Sequence, residues 1–172
     1  HRYGRRQRQM CIRDSNGTPG KVVQSPYRNR RAKGSIFQGG INVPMVISGA
    51  GITRKGERED ALIQSTDLFT TIAQMAGSTI SEKHNSKSFH QLLSDTAAPS
   101  RTYAYAENST EGNVSYTVRD SKYKLIVDAD GTESVYDLIS DPYEKKNLLT
   151  NPSPTINEVR NSLFQEALRI RE

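Results

Sequence analysis

Residues 103–138 read YAYAENSTEGNVSYTVRDSKYKLIVDADGTESVYDL. Their large apolar side chains recur at every second position: Tyr103 and Tyr105, then Val114, Tyr116 and Val118, then Tyr123, Leu125 and Val127. A period of two places such side chains on one face of a β-strand. Asp130-Gly131 is a hairpin turn signal, and Ser134–Leu138 returns from it as a fourth strand. Four strands so closely spaced predict an antiparallel sheet. Beyond them the period changes to that of a helix, predicted from about Thr155 to Ile170 with Ile156, Val159, Leu163, Ala167 and Ile170 facing inward.

Upstream of the sheet the pattern differs. Ile41–Ser48 (INVPMVIS) is nearly continuous in apolar residues, as in a strand buried on both faces, and Pro44 puts it near a strand start or an edge. A helix is predicted next, capped by Thr66 or Ser65, favoured at its N-terminus by Asp67 and stopped by Gly77. Leu68, Ile72 and Met75/Ala76 would form its inward face, with Phe69 and Ala73 beside them. Residues 78–100 are mostly irregular around one apolar knot at Phe89, Leu92 and Leu93. Residues 16–40 read as a Gly- and Pro-punctuated loop. Residues 1–15 (HRYGRRQRQMCIRDS) show no period of 2 or 3.6 and read as a disordered or foreign segment.

Composition narrows the function. The 172 residues are 34% apolar and 25% charged, with one cysteine and a formal net charge of +5. No run of about 18 apolar residues exists to cross a membrane as a helix. A single Cys11 allows neither an internal disulfide framework nor a Cys-rich zinc site. Residues 1–33 carry ten Lys/Arg against one acid, whereas the remaining 139 residues carry 14 basic and 18 acidic side chains. Such asymmetry points to an anionic partner, whether nucleic acid, membrane surface or small anionic substrate. The basic head has no apolar core of the kind a secretory signal needs.

Four segments, in order, resemble the type I sulfatases of the alkaline-phosphatase-like superfamily. They are Lys33-Gly34-Ser35-Ile36-Phe37-Gln38-Gly39-Gly40-Ile41-Asn42-Val43-Pro44; Asp67-Leu68-Phe69-Thr70-Thr71-Ile72; Arg119-Asp120-Ser121-Lys122-Tyr123-Lys124-Leu125; and Tyr136-Asp137-Leu138 with Asp141-Pro142, Glu144 and Asn147-Leu148. The resemblance covers roughly residues 16–150. It implies an α/β fold: the C-terminal portion of an alkaline-phosphatase-like sulfatase, ending in a small four-stranded antiparallel sheet packed on a C-terminal helix. Residues 16–100 would then be the C-terminal part of the catalytic α/β domain, and residues 101–172 a small α+β subdomain.

The resemblance also implies roles. Lys33 falls where the family sets a lysine against the sulfate, making it the candidate catalytic and substrate-binding residue. An ammonium offers a point charge and three donors to sulfate oxygens; without the surrounding glycines it reads as a solvated loop lysine. Asn16-Gly17 falls where the family has S-D-N-G, whose Asp and Asn bind a divalent metal, usually Ca²⁺. Asn16 and Asp14 are therefore the candidate metal ligands, although Asp14 stands one place early and Asn-Gly is also an ordinary turn. Arg28, Arg30 and Arg31 read as solvated, and Asp141-Pro142-x-Glu144 as the N-cap, first-turn proline and capping-box carboxylate of a short helical turn.

The family's nucleophile is a formylglycine made from the Cys or Ser of a C/S-x-P/A-x-R motif. Cys11-Ile12-Arg13-Asp14-Ser15 does not spell it, so the chain is expected to be inactive alone. Residues up to Ser15 resemble a translated sequencing adapter, which would make the position before Asn16 an aspartate in the natural gene. The expected partner is a sulfated small molecule or carbohydrate, with neither nucleic acid nor membrane, and the family implies a periplasmic or secreted enzyme. The oligomeric state is not specified by the sequence. Two alternatives stand beside this reading: a phosphate or phosphonate ester hydrolase of the same superfamily, and a non-enzymatic nucleic-acid-binding protein with a basic arm.

Overall fold

The computed structural model describes residues 10–13, 17–98 and 100–172. In chain order the elements are β1 (Met10–Arg13), α1 (Gln38–Ile41), β2 (Met45–Ser48), α2 (Asp67–Met75), β3 (Glu82–Lys83), β4 (Ser86–Lys87), β5 (Ala104–Thr110), β6 (Asn113–Arg119), β7 (Tyr123–Val127), β8 (Glu133–Asp137) and α3 (Pro154–Arg171). The described residues form two compact units, one from residues 10–13 and 44–100, residue 99 aside, the other from residues 17–43 and 101–172. Residues 17–43 differ: expected with residues 44–100, they build instead onto the C-terminal sheet.

In the first unit β1 pairs antiparallel with β2, Met10 opposite Ser48 and Arg13 opposite Met45. Residues 10–13 were expected to lack regular structure. A strand edge presents unpaired N–H and C=O groups to any extended neighbour, whatever its side-chain pattern, which is why β1 forms without an apolar period. β2 begins immediately after Pro44 but is covered on one face only, with Val46 58% exposed, rather than on both as expected. Phe89, Leu92 and Leu93 form the buried centre of this unit, joined by Met45, Ile47, Leu68 and Met75.

Helix α2 stops as its sequence requires, but the expected cap is not made: Thr66, at the N-cap position, forms no side-chain capping hydrogen bond. At its C-terminus Ser78 N donates to Ala73 O and Gly77 N to Gln74 O, with Gly77 at φ +94°, the paired closure that a glycine there permits. Its inward face is the expected one only in part: Leu68 and Met75 pack on the core, but Ile72 does not. Asp67, Thr70 and Thr71 are buried, whereas Phe69 and Ile72 are about three-fifths exposed. The cause is hydrogen bonding. Asp67 accepts from the amides of Gln64 (2.7 Å) and Lys87 (2.8 Å), Thr71 accepts from Phe89 N (3.1 Å), and Thr70 meets Ser86 Oγ at 2.8 Å. Asp67 and Thr71 thereby satisfy backbone amides of the β3–β4 hairpin and the segment after it, and Thr70 pairs with a hairpin side chain.

The second unit is a meander, β5-β6-β7-β8, antiparallel throughout. The register stacks Tyr105, Val118, Leu125 and Val135 across it. These side chains face α3, whose Leu163 and Ala167 complete the cluster. Each fully buried Val or Leu contributes about 1.5–3 kcal/mol. α3 runs Pro154–Arg171, one residue beyond each predicted end, with Ser153 accepting from Ile156 N and Pro154 in its first turn. Glu133 on β8 holds Arg160 on α3 through both carboxylate oxygens.

The opposite face of the sheet is covered too. Ile126, Tyr136 and Leu138 pack against Ile36 and Phe37 from the segment before α1. Lys124, between two apolar residues of β7, therefore lies at 0% exposure, and its Nζ sits 2.6 Å from Glu144 Oε1, itself 1% exposed. Burial pushes the Lys124 ammonium down to about 8, with Glu144 pulling it upward and the Arg119 and Arg31 charges pushing it further down.

The covering segment is seated by glycine. A β-carbon on Gly40 would stand 2.2 Å from Ser35 O and 2.6 Å from Ala32 O, both backbone atoms that cannot swing aside. Gly40→Ala is therefore expected to destabilise the protein by about 1–3 kcal/mol, read as a lowered urea midpoint. A second expectation concerns pH. An unfolded lysine titrates near 10.5 against about 8 in the fold, so in that window the unfolded chain binds more protons and stability from this group rises with pH. Compared with Lys124→Met/Glu144→Leu, the wild type should gain in urea midpoint between about pH 8 and about pH 10. An unchanging difference would contradict the shift.

Candidate functional site

Lys33 stands at the crest of a turn, and the turn is defined by backbone hydrogen bonds on both sides. Its own amide donates to Thr18 O (3.1 Å), and Ser35 N donates back to Ala32 O (3.0 Å) while Ser35 Oγ reaches the same carbonyl at 2.7 Å. Gly34 takes φ +86°, a conformation that disfavours any side chain, and a β-carbon there would meet nothing within 4 Å. The Lys-Gly pair is thus needed for its backbone shape. Ala32 and Ile36 on either side are buried, while Lys33 itself is exposed and makes no ion pair among the described residues.

Residues following Asn16 are brought to this turn. Gly17 N donates to Gly40 O at 2.9 Å, and a β-carbon on Gly17 would fall 1.9 Å from Gly39 O. Gly17, Gly39 and Gly40 therefore let three backbone segments lie in contact. Asn16 and Asp14 are outside the described residues. Among the described residues no group of three or more His, Cys, Asp or Glu side chains stands close enough to hold a metal ion.

Three side chains from far along the sequence hold the turn from beneath. Asn108 Nδ2 on β5 donates to Gly34 O (3.0 Å). Lys124 Nζ on β7 donates to Ile36 O (2.7 Å) as well as to Glu144. Glu144 Oε2 accepts from Gln38 N at 2.7 Å, the first amide of α1, where a carboxylate also favours the positive helix end. Arg31 donates to Glu144 O, and its guanidinium lies 4.4 Å from the Phe37 ring centroid and 5.7 Å from that of Tyr136.

Two sequence readings are corrected by this geometry. Arg31, expected to be solvated, is a packed cation over two aromatic rings, whereas Arg28 and Arg30 are exposed as expected. Glu144 caps no helical turn of its own. It sits at φ +55°, a conformation costing a non-glycine residue about 1–2 kcal/mol, which turns its carboxylate inward to a helix 106 residues away. Asp141 does serve locally, its Oδ2 accepting from Lys146 N at 2.8 Å. Neither Lys124 nor Glu144 figured among the expected site residues. The one available signal was that both fall inside family-like segments, one in KYKL and one in DPYE.

Taken together, the turn presents one exposed ammonium on a backbone fixed from both sides, an arrangement that can donate to an anion without its main chain rearranging.

A sequence profile described as N-sulphoglucosamine sulphohydrolase, C-terminal, matches residues 31–172. The chain is 27% identical over 120 residues to a protein described as a sulfatase from Formosa agariphila, covering 70% of this chain and 23% of that one. It is 29% identical over 126 residues to a Delta 4,5-hexuronate-2-O-sulfatase from Bacteroides thetaiotaomicron, covering 69% and 26%. Among solved structures, one described as a putative sulfatase from Bacteroides thetaiotaomicron VPI-5482 superposes with a TM-score of 0.68 at 28% identity, covering 80% of this chain and 32% of that one. The chain thus spans about a quarter of the length of these two relatives. The matched span includes the Lys33 turn, the sheet beneath it and the closing helix, and the chain belongs to the sulfatase family, as a member of its N-sulphoglucosamine sulphohydrolase C-terminal group.

Proposed function

We propose that this chain is the C-terminal part of an enzyme that hydrolyses sulfate esters of a carbohydrate, and that Lys33 is its contact to the sulfate group. The observation that carries the reading is the Lys33 turn itself: an exposed lysine on a rigid glycine-shaped backbone, inside a span that matches a sulfatase family. As the S–O bond to the sugar breaks, negative charge builds on the bridging oxygen and is redistributed over the sulfate. A fixed ammonium donating to a sulfate oxygen lowers the energy of that state more than the energy of the bound ester. The carbohydrate assignment is supported by the relative described as a hexuronate sulfatase.

The chain supplies the contact and not the chemistry. Its one cysteine, Cys11, is followed by Ile12 and then Arg13 where the formylglycine motif requires Pro or Ala. The nucleophile is therefore to be sought in the remainder of a longer enzyme, as are most ligands of the family's divalent ion. Ca²⁺ takes six to eight oxygen donors, and Asn16 with Asp14 offers too few to make a site. In the longer enzyme Asn16 would contribute an amide oxygen. We further propose a periplasmic or secreted location, to be checked by fractionating cells that express the complete gene.

Three results are expected. Purified 1–172 should show no turnover of a chromogenic aryl sulfate, and turnover abolished by Lys33→Ala would overturn this. Titration of 1–172 with Ca²⁺ in a calorimeter should give no saturable heat at micromolar protein, whereas a one-site isotherm would contradict the incomplete ligand set. In the longer enzyme, Lys33→Ala should lower kcat/KM for a sulfated disaccharide by about 10²–10³-fold. A phosphonate monoester turned over faster than the sulfate ester would favour the other ester class.

A further inference from the structure

Lys124 and Glu144 form a buried ion pair on a sheet face that is otherwise apolar. A buried pair costs two desolvations, and an apolar pair of similar volume is often as stable or more so. Here the pair lies among Ile36, Ile126, Tyr136 and Leu138, surroundings that an apolar side chain would suit equally well. What an apolar replacement would lose is specific. Lys124 Nζ donates to Ile36 O at 2.7 Å, and Glu144 Oε2 accepts from Gln38 N at 2.7 Å. Between them the two charges take hold of the main chain on both sides of Phe37. Each spends its other bond on its partner, at 2.6 Å. Glu144 is held at φ +55° to reach this place, and Arg31 ties its carbonyl to the beginning of the same turn.

The segment gripped in this way is the one that carries Lys33. Ser35 N closes back on Ala32 O, so the two residues between them are the crest, and its downstream leg runs directly into the gripped Ile36–Gln38. β7 is an inner strand of the sheet, hydrogen-bonded to β6 on one side and β8 on the other. Through Lys124 the turn is referenced to an inner strand of this sheet.

We propose that Lys124 and Glu144 are positioning residues for sulfate-ester hydrolysis: together they fix the height and direction of the Lys33 turn over the sheet, so that the ammonium meets the sulfate without rearrangement. The proposal rests on the reading of Lys33 as the sulfate contact. Neither residue touches substrate. Their effect passes through the backbone of residues 36–38 to Lys33. The benefit is preorganisation, since a donor displaced by about an ångström loses much of its catalytic worth.

The test has two readouts. In the 172-residue chain, hydrogen exchange is followed at amides 32–42 and, separately, in β6 to β8. Glu144→Gln, which keeps shape and one acceptor, and Lys124→Met should each speed exchange at 32–42 by about tenfold while the strands change by less than about twofold. Arg160→Met, which breaks the pair on the other face of the sheet, should leave residues 32–42 unaltered. In the longer enzyme, Glu144→Gln should lower kcat for a sulfated disaccharide with KM nearly unchanged, and it should have no further effect in a Lys33→Ala background. Unaltered exchange at 32–42, or equal loosening of turn and strands, would overturn the anchor. A loss of kcat that simply multiplies with that of Lys33→Ala would overturn its action through Lys33. If Lys33→Ala alone leaves turnover intact, the reading of Lys33 fails, and the exchange result shows separately whether the anchor exists.

Discussion

An ammonium at 0% exposure survives in a protein only when its hydrogens meet acceptors and its charge meets a countercharge. Lys124 finds two acceptors and its countercharge in groups far from it in sequence, Ile36 O from 88 residues upstream and Glu144 from 20 residues downstream. That requirement shapes the second unit. It places the segment before α1 across the sheet, turns Glu144 inward at a positive φ, and brings Arg31 and Phe37 to rest over Tyr136. The face of the sheet away from α3 is thus covered by a loop and not by solvent, and the loop carries the exposed lysine.

Glycine makes the same arrangement possible from the other direction. Gly17, Gly39 and Gly40 all lie where a β-carbon would strike a backbone carbonyl, so the approach of residues 17–18, 31–35 and 38–40 depends on their having none. Gly34 acts through conformation instead, at φ +86° with open space around it. The motif Lys-Gly-Ser-Ile-Phe-Gln-Gly-Gly is therefore a backbone specification that leaves the Lys33 side chain exposed.

Much of the second unit was legible in the sequence because its strands alternate and α3 keeps a helical apolar period, although its Ser153-Pro154 start was not read. The Lys33 turn was legible because glycines at fixed offsets leave a motif. What could not be read was coverage. Period two in β7 shows that Tyr123, Leu125 and Val127 share a face, but cannot show that Lys124 and Ile126 are buried on the other. The same blindness misassigned α2, whose apolar periodicity predicted Ile72 inward, while hydrogen bonds from the hairpin claimed Asp67, Thr70 and Thr71. β2 was read as buried on both faces for lack of any way to see that one of them has no cover among the described residues. Asn16 and Asp14 owe their candidacy to the motif alone.

Lys33 as the sulfate contact is the point on which the account turns. It is tested most directly by a crystal structure of the longer enzyme with a sulfated disaccharide bound. The account predicts Lys33 Nζ about 2.7–3.2 Å from a sulfate oxygen, with the hydrogen bonds of residues 36–38 to Lys124 and Glu144 intact. A sulfate group held entirely by other residues, with the Lys33 ammonium directed to solvent, would contradict it.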